Sequence, residues 1–305
     1  MPRSLAAALA ALAAIAASPP AAACSICGCD PSVGSLGVER PARSALRFSL
    51  ETRYLTKESG AAEDAEGEKE ARTQLRLQYA PLAPLVLQLE VPFFLFKQHF
   101  DAAGAQDFST TGLGDLQLSA RYEVLRLGGV RPAHVLALTG TLKLPTGANG
   151  LSLPGEAPDE HLQRGSGSVD GLAGLHFAST PFDDRALTWF ANLSGRLNGS
   201  NARGFQYGNA LFAGLGARYS LLEHQTLQLS LEGQVRAAAM DLAQDGSRDP
   251  DSGGTLGYAT AGVAWSFLPD FILRGTLQVP VARSLNGTQS EHPVAYLALA
   301  YDLAL

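Results

Sequence analysis

Along most of the chain, apolar and polar residues alternate with period two. In the stretch 44–55, Leu46, Phe48, Leu50, Thr52 and Tyr54 fall on one face and Arg47, Ser49, Glu51 and Arg53 on the other. Successive side chains of a strand point to opposite faces, so this alternation predicts a strand with one apolar and one polar side. The same rhythm sets Thr73, Leu75, Leu77 and Tyr79 against Arg72, Gln74, Arg76 and Gln78, and Leu116, Leu118, Ala120, Tyr122 and Val124 against Asp115, Gln117, Ser119, Arg121 and Glu123. It returns at 186–198, 226–237 and 271–281. In all, the pattern predicts about twelve strands, starting near residues 44, 71, 85, 113, 134, 168, 186, 208, 226, 255, 271 and 293. Each runs roughly 9–14 residues, longer than the ~5–6 of ordinary sheets and close to the ~9–11 that cross a bilayer at a tilt.

The connections sharpen this reading. Short turns at 81–84, 125–134, 180–185, 221–225 and 268–270 interleave with long polar loops near 56–70, 97–112, 145–167, 198–207, 238–254 and 284–292. A β-sandwich has no reason to sort its connections this way. An outer-membrane barrel does, with short periplasmic turns and long extracellular loops. The expected fold is all-β: one closed antiparallel transmembrane β-barrel of about twelve strands over 44–305, in the bacterial outer membrane. Tyr54, Tyr79, Tyr122, Tyr219 and Tyr301 fall where such barrels carry aromatic girdles, although tyrosine also simply suits strands. The sequence ends on Leu305, where an aromatic is usual.

Composition adds to the picture in three places. Charged residues make up 17% of the chain, well below the ~25% of soluble domains, and glycine is abundant at 32 residues. The net charge of −6 gives a nucleic-acid partner no electrostatic support. The first 23 residues read as a secretory signal peptide: Arg3, an apolar run over 5–17, Pro19-Pro20, then Ala21-Ala22-Ala23 as a small-residue cleavage site. No later apolar run is long enough for a transmembrane helix.

With the apolar face on lipid, the polar face lines the lumen. It is expected to hold Arg47, Glu51, Arg53, Arg72, Arg76, Glu90, Asp115, Arg121, Glu123, Lys143, Arg196, Arg218, Glu232, Arg236 and Arg274, with Asp302 near the chain's end. Basic groups are in modest excess. These side chains either line a path for a small solute or fill and cross-link a narrow barrel; twelve strands lie between filled eight-stranded barrels and open porins. Asp245, Asp249 and Asp251 in an acidic loop, and His161 beside Asp159 and Glu160, are weak cation candidates, as charged surface loops are common. No nucleophile elbow, zinc-protease or phosphate-loop motif is present, so the expectation is a non-enzyme.

All three cysteines, Cys24, Cys27 and Cys29, lie in a segment 24–43 expected on the periplasmic side ahead of the first strand. Cys24 follows the cleavage site, which suits lipidation, although Ala21 stands where lipoprotein signals favour Leu. The C-x-x-C-x-C spacing also suits a soft ion, copper or zinc, or docking of a periplasmic metal or redox partner. Disulfide pairing in an oxidising compartment is the third reading.

Three stretches carry a resemblance. Residues 110–124 (TTGLGDLQLSARYEV), 137–150 (ALTGTLKLPTGANG) and 164–179 (RGSGSVDGLAGLHFAS) resemble the transporter-like outer-membrane barrels of the phenol-degradation-pathway (MetA-pathway) family. That family starts a strand with Gly-Leu-Gly-Asp and ends the next with Leu-Pro-Thr-Gly; a Gly-rich stretch with an Asp then leads into another strand. The resemblance implies an outer-membrane barrel passing small, aromatic or hydrophobic molecules, with outer-membrane lipid and a small solute as its partners. It assigns no catalytic residue.

Overall fold

A computed structural model describes residues 45–59, 66–129, 132–152, 160–182, 186–221 and 226–304. The expected signal peptide, Cys24, Cys27, Cys29, Asp159 and Leu305 lie outside the described residues. In chain order the strands are β1 (Ala45–Ser59), β2 (Glu66–Leu82), β3 (Leu85–Phe100), β4 (Gln106–Leu113), β5 (Leu116–Leu127), β6 (His134–Leu144) and β7 (Asp170–Ser179). They continue with β8 (Leu187–Leu197), β9 (Ala210–Ser220), β10 (Leu227–Ala238), β11 (Gly254–Leu268), β12 (Phe271–Leu285), β13 (Gln289–Glu291) and β14 (Val294–Ala304). Every pairing is antiparallel, and β1 pairs with both β2 and β14, so the sheet closes on itself. β4 with β5, and β13 with β14, each make one broken crossing, which gives a barrel of twelve crossings.

The barrel is inside out relative to a soluble protein. Leu215, Leu231 and Leu297 are 60–65% exposed on its outer surface, whereas Arg53, Arg76 and Glu90 are 3–5% exposed within. A continuous apolar belt of this kind is stable only against hydrocarbon. Aromatic residues gather at the short-turn end: Trp265, Phe267, Phe271 and Tyr301 form a chain of rings with centroids 4.8–5.9 Å apart. Tyr79, Tyr122 and Tyr219 sit exposed at the same end, and Tyr54 packs on Phe96 nearer the long-loop end.

Two expectations needed adjusting. β1, β2 and β3 run 15, 17 and 16 residues, so much of the segments expected as loops at 56–70 and 97–112 is strand. Beyond the bilayer the outer face of a strand also meets water, so the apolar half of the alternation fades while the hydrogen-bonded ladder continues, as in Lys57↔Glu68 and Glu68↔His99. The crossing expected to start near 113 is broken at Gly114–Asp115. There β3 changes partner, pairing β5 up to Glu90↔Gln117 and β4 from Phe93↔Leu113 onward. Pro92 sits at the change; it has no N–H to give the ladder, and its carbonyl accepts from Gly114 N–H at 2.9 Å.

Candidate channel lumen

Of the fifteen residues expected on the polar face, twelve are buried, and Lys143, Arg218 and Arg274 are half-buried. On β1–β3 they interlock. Arg53 pairs with Glu70 at 2.8 Å, and Arg76 with Glu90 at 2.9 Å and Glu51 at 3.6 Å. Amides fill between them: Gln74 donates to Glu51 at 3.0 Å, Gln78 to Gln88 at 2.7 Å and Gln88 to Glu90 at 2.5 Å. Farther round, Arg121 pairs with Glu123 at 2.9 Å, Arg236 with Glu291 at 2.6 Å, and Arg47 with Asp302 at 2.6 Å. Arg72 and Arg196 lie over the rings of Phe94 and Phe212. Glu70, Glu68 and Lys97, which the reading of the polar face omitted, also belong to it; Lys97 pairs with Glu68 at 3.3 Å. Glu70 continues the inward phase of Arg72 and was legible. Lys97 follows a bulge that shifts the phase, so it was not.

Asp115 has a more particular place. At the break between β4 and β5 its carboxylate accepts from Gly147 N–H at 2.9 Å, Ser166 N–H at 2.8 Å and Ser166 Oγ at 3.1 Å. Lys143 reaches it at 3.3 Å and also pairs with Asp170. Thr146 Oγ1 donates to Gly114 C=O and accepts from Leu116 N–H. The three sequence stretches that carry the family resemblance thus meet at one latch, which holds residues 145–152 and 160–169 against the barrel mouth. Gly147 and Gly165 are required there: a Cβ on either would come within 2.8 Å of the other's backbone.

The loop continues inward. Lys97 Nζ donates to the carbonyls of His161 and Gln163. Glu160 binds Asn201 and Arg203, and its carbonyl accepts from Tyr207 O–H at 2.7 Å. Residues 198–207 are thereby tied to the same loop. Loop residues follow no strand period, so nothing in the alternation points to them.

The wall β7–β10 is built differently. Its inward positions include Gly174, Gly214 and Gly216, and neighbouring side chains lie flat across two of them: Glu232 over Gly214 and Phe190 over Gly216. His176 Nδ1 meets Asn192 Oδ1 at 2.5 Å, Glu232 hydrogen-bonds Asn192 and Gln234, and Gln278 donates to Gln234 at 2.8 Å. Tyr296 O–H reaches Gln278 at 3.3 Å, so a mostly neutral belt runs from β7 to β14.

Among the described residues, two cavities lie inside. One, of about 60 Å³, sits under residues 160–169 and is lined by Glu70, Arg72, Pro92, Phe94, Lys97, Asp115, Gln117, Lys143, Gln163, Arg164, Gly165, Ser166 and Tyr207. The other, of about 10 Å³, lies toward the short-turn end between Arg47, Ser49, Arg76, Gln78, Ile272, Arg274, Ala298 and Ala300. Among the described residues no group of three or more His, Cys, Asp or Glu side chains gathers as a metal site. Asp245 caps Ser247, and Asp249 accepts from Asp251 N–H, both local turn contacts.

The solved structure of an outer-membrane channel from Pseudomonas putida F1 superposes with a TM-score of 0.70 at 16% identity, covering 90% of this chain and all of that one. The β-domain of the Bordetella autotransporter BrkA superposes with a TM-score of 0.51 at 9% identity, covering 85% of this chain and all of its own. No curated protein matches in sequence. These likenesses show the fold, a closed antiparallel β-barrel of the kind found in the bacterial outer membrane. Residues 77–284 match the family described as "Putative MetA-pathway of phenol degradation", and the chain belongs to that family.

Proposed function

We propose that this chain is a passive channel for a small solute, not an enzyme, and that the fifteen expected polar-face residues border its path. One observation carries the reading: the interior of the closed barrel is polar, with space both above and below its most densely paired layer. A closed barrel needs no edge protection, and polar groups facing inward avoid the cost of facing lipid, about 2–4 kcal/mol for a cation at the midplane. The family's description supports an aromatic solute. Purified protein in planar bilayers should show discrete conductance steps, and proteoliposomes should swell in small-solute gradients. Absence of both would favour a second reading, a structural barrel with a filled lumen. The interlocked Arg76–Glu51–Glu90 group and the inward residues 160–169 support that alternative.

The cysteine segment supports a separate reading, in which Cys24 is lipidated or Cys24, Cys27 and Cys29 bind copper or zinc. Intact mass and metal content of the purified protein decide it. An acyl increment assigns the anchor, bound metal assigns the cluster, and neither removes both.

A further inference from the structure

Both of the cavities described present more cations than carboxylates. Arg72, Lys97, Lys143 and Arg164 line the upper one against Glu70 and Asp115. Arg47, Arg76 and Arg274 line the lower one, and no carboxylate does. Arg47 and Arg76 border the lower cavity, whereas their partners, Asp302 and Glu90, border neither. Lys97 borders the upper cavity while its partner Glu68 does not. Arg164 anchors there through the Thr111 carbonyl at 2.6 Å rather than through a carboxylate.

A solute in the upper cavity therefore meets four cations against two carboxylates, and in the lower one three guanidinium groups and no carboxylate. In a narrow, weakly screened passage those nearest charges dominate the local field. Guanidinium also matches the two oxygens of a carboxylate. Phe94 and Pro92 give the upper cavity an apolar side against which the rest of a small organic acid can lie.

We infer that the lumen selects small anions, carboxylates among them, with the cavity under residues 160–169 as the binding stop and the narrow Arg47–Arg76–Arg274 space as a cationic constriction on its inner side. This rests on the channel reading and runs against the bulk charge: the chain carries −6 overall and its long loops are acidic, which alone would favour cations.

The test is the reversal potential of the full mature protein in planar bilayers under a potassium chloride gradient, then a potassium acetate gradient. The expected result is chloride and acetate permeability several-fold above potassium. Arg72→Gln combined with Arg274→Gln should bring the ratio toward one, with heat-modifiable gel migration showing that the barrel still folds. A wild-type ratio at or below one overturns the inference and leaves the channel reading standing. Anion preference unchanged in a folded double variant overturns its assignment to these cavities. No conductance in any salt overturns the channel reading and the inference with it.

Discussion

The wall β1–β3 and the wall β7–β10 share one alternating pattern and use the barrel's interior in opposite ways. On the first, long charged side chains pair across strands and occupy the space between. On the second, glycines let the few long side chains lie flat, and the remaining polar groups are mostly amides and hydroxyls. The first wall supplies charge and borders both cavities; the second is lined with short and mostly neutral groups. Charges can stay buried on the first because Arg53 pairs with Glu70, Arg76 with Glu51 and Glu90, and Arg72 lies over the Phe94 ring. Glu232 on the second is held by amides instead.

The largest effect should come from breaking the first wall. Arg76→Met leaves Glu51 and Glu90 buried without their shared cation, and removing one partner of a buried pair costs about 3–5 kcal/mol. Equilibrium unfolding in urea from detergent or vesicles should show a loss of this size. A loss below 1 kcal/mol would mean the wall is far wetter than its burial implies. Asp115→Ala should follow. It removes two backbone-to-carboxylate hydrogen bonds, each of the charge-assisted kind worth about 1.5–3 kcal/mol. It should also raise protease sensitivity within 145–169 and increase conductance, whereas an unchanged digestion pattern would remove the latch.

Two neighbouring glycines then separate space from field on the second wall. In Gly216→Ala the new Cβ would meet the Phe190 ring at 2.5 Å and the Leu231 carbonyl at 2.8 Å. Backbone cannot yield, so a cost of about 1–3 kcal/mol is expected. In Gly214→Ala the nearest atom is Glu232 Oε1 at 2.7 Å, the free end of a side chain. That carboxylate should shift toward the lumen while keeping its contacts to Asn192 and Gln234, at a stability cost of under about 1 kcal/mol, and conductance and anion preference should both fall. Equal stability losses in the two variants would show that Glu232 cannot leave its notch.

How much of this was legible in the sequence follows from the same contrast. Alternation is imposed by lipid on one side and polar interior on the other, so Arg47, Arg53, Arg76 and Arg236 could be assigned to the inward face residue by residue. It cannot say what a side chain does once inside. Asp115 falls in the inward phase like its neighbours, yet it serves as the anchor of a loop. Gly214 reads as a gap in the pattern, yet it seats Glu232. Glu160, Arg164 and Tyr207 lie in loops whose path is set by the hydrogen bonds they make rather than by any period. The outer ends of β2 and β3 were hidden for the converse reason, since outside the bilayer nothing obliges one face to be apolar.

The smallest expected effect lies at the outer rims of the two walls. β3 is 16 residues long and ~9–11 suffice to cross, so its end at His99 stands clear of the membrane. His99 Nδ1 meets Asp107 Oδ1 at 2.7 Å and Nε2 meets Glu66 at 3.4 Å. Partial burial opposes its charge, but the two carboxylates outweigh that and raise its pKa above the usual 6.5. A raised folded-state pKa means the stabilisation is fully present below about 6.5, the unfolded value, and is lost as pH rises through the folded one. On the other rim Asp245 is held below its ordinary value by the Ser247 hydroxyl and N–H, so it stays ionised throughout the neutral range. Amide exchange in the β3–β4 hairpin should therefore quicken from pH 6 to 8 beyond the intrinsic rise. The 239–253 loop should show no such excess, and His99→Gln should abolish the excess in the hairpin. An equal excess at both rims would mean that His99 does not clamp the hairpin, and that the first wall's ion pairing ends where the membrane does.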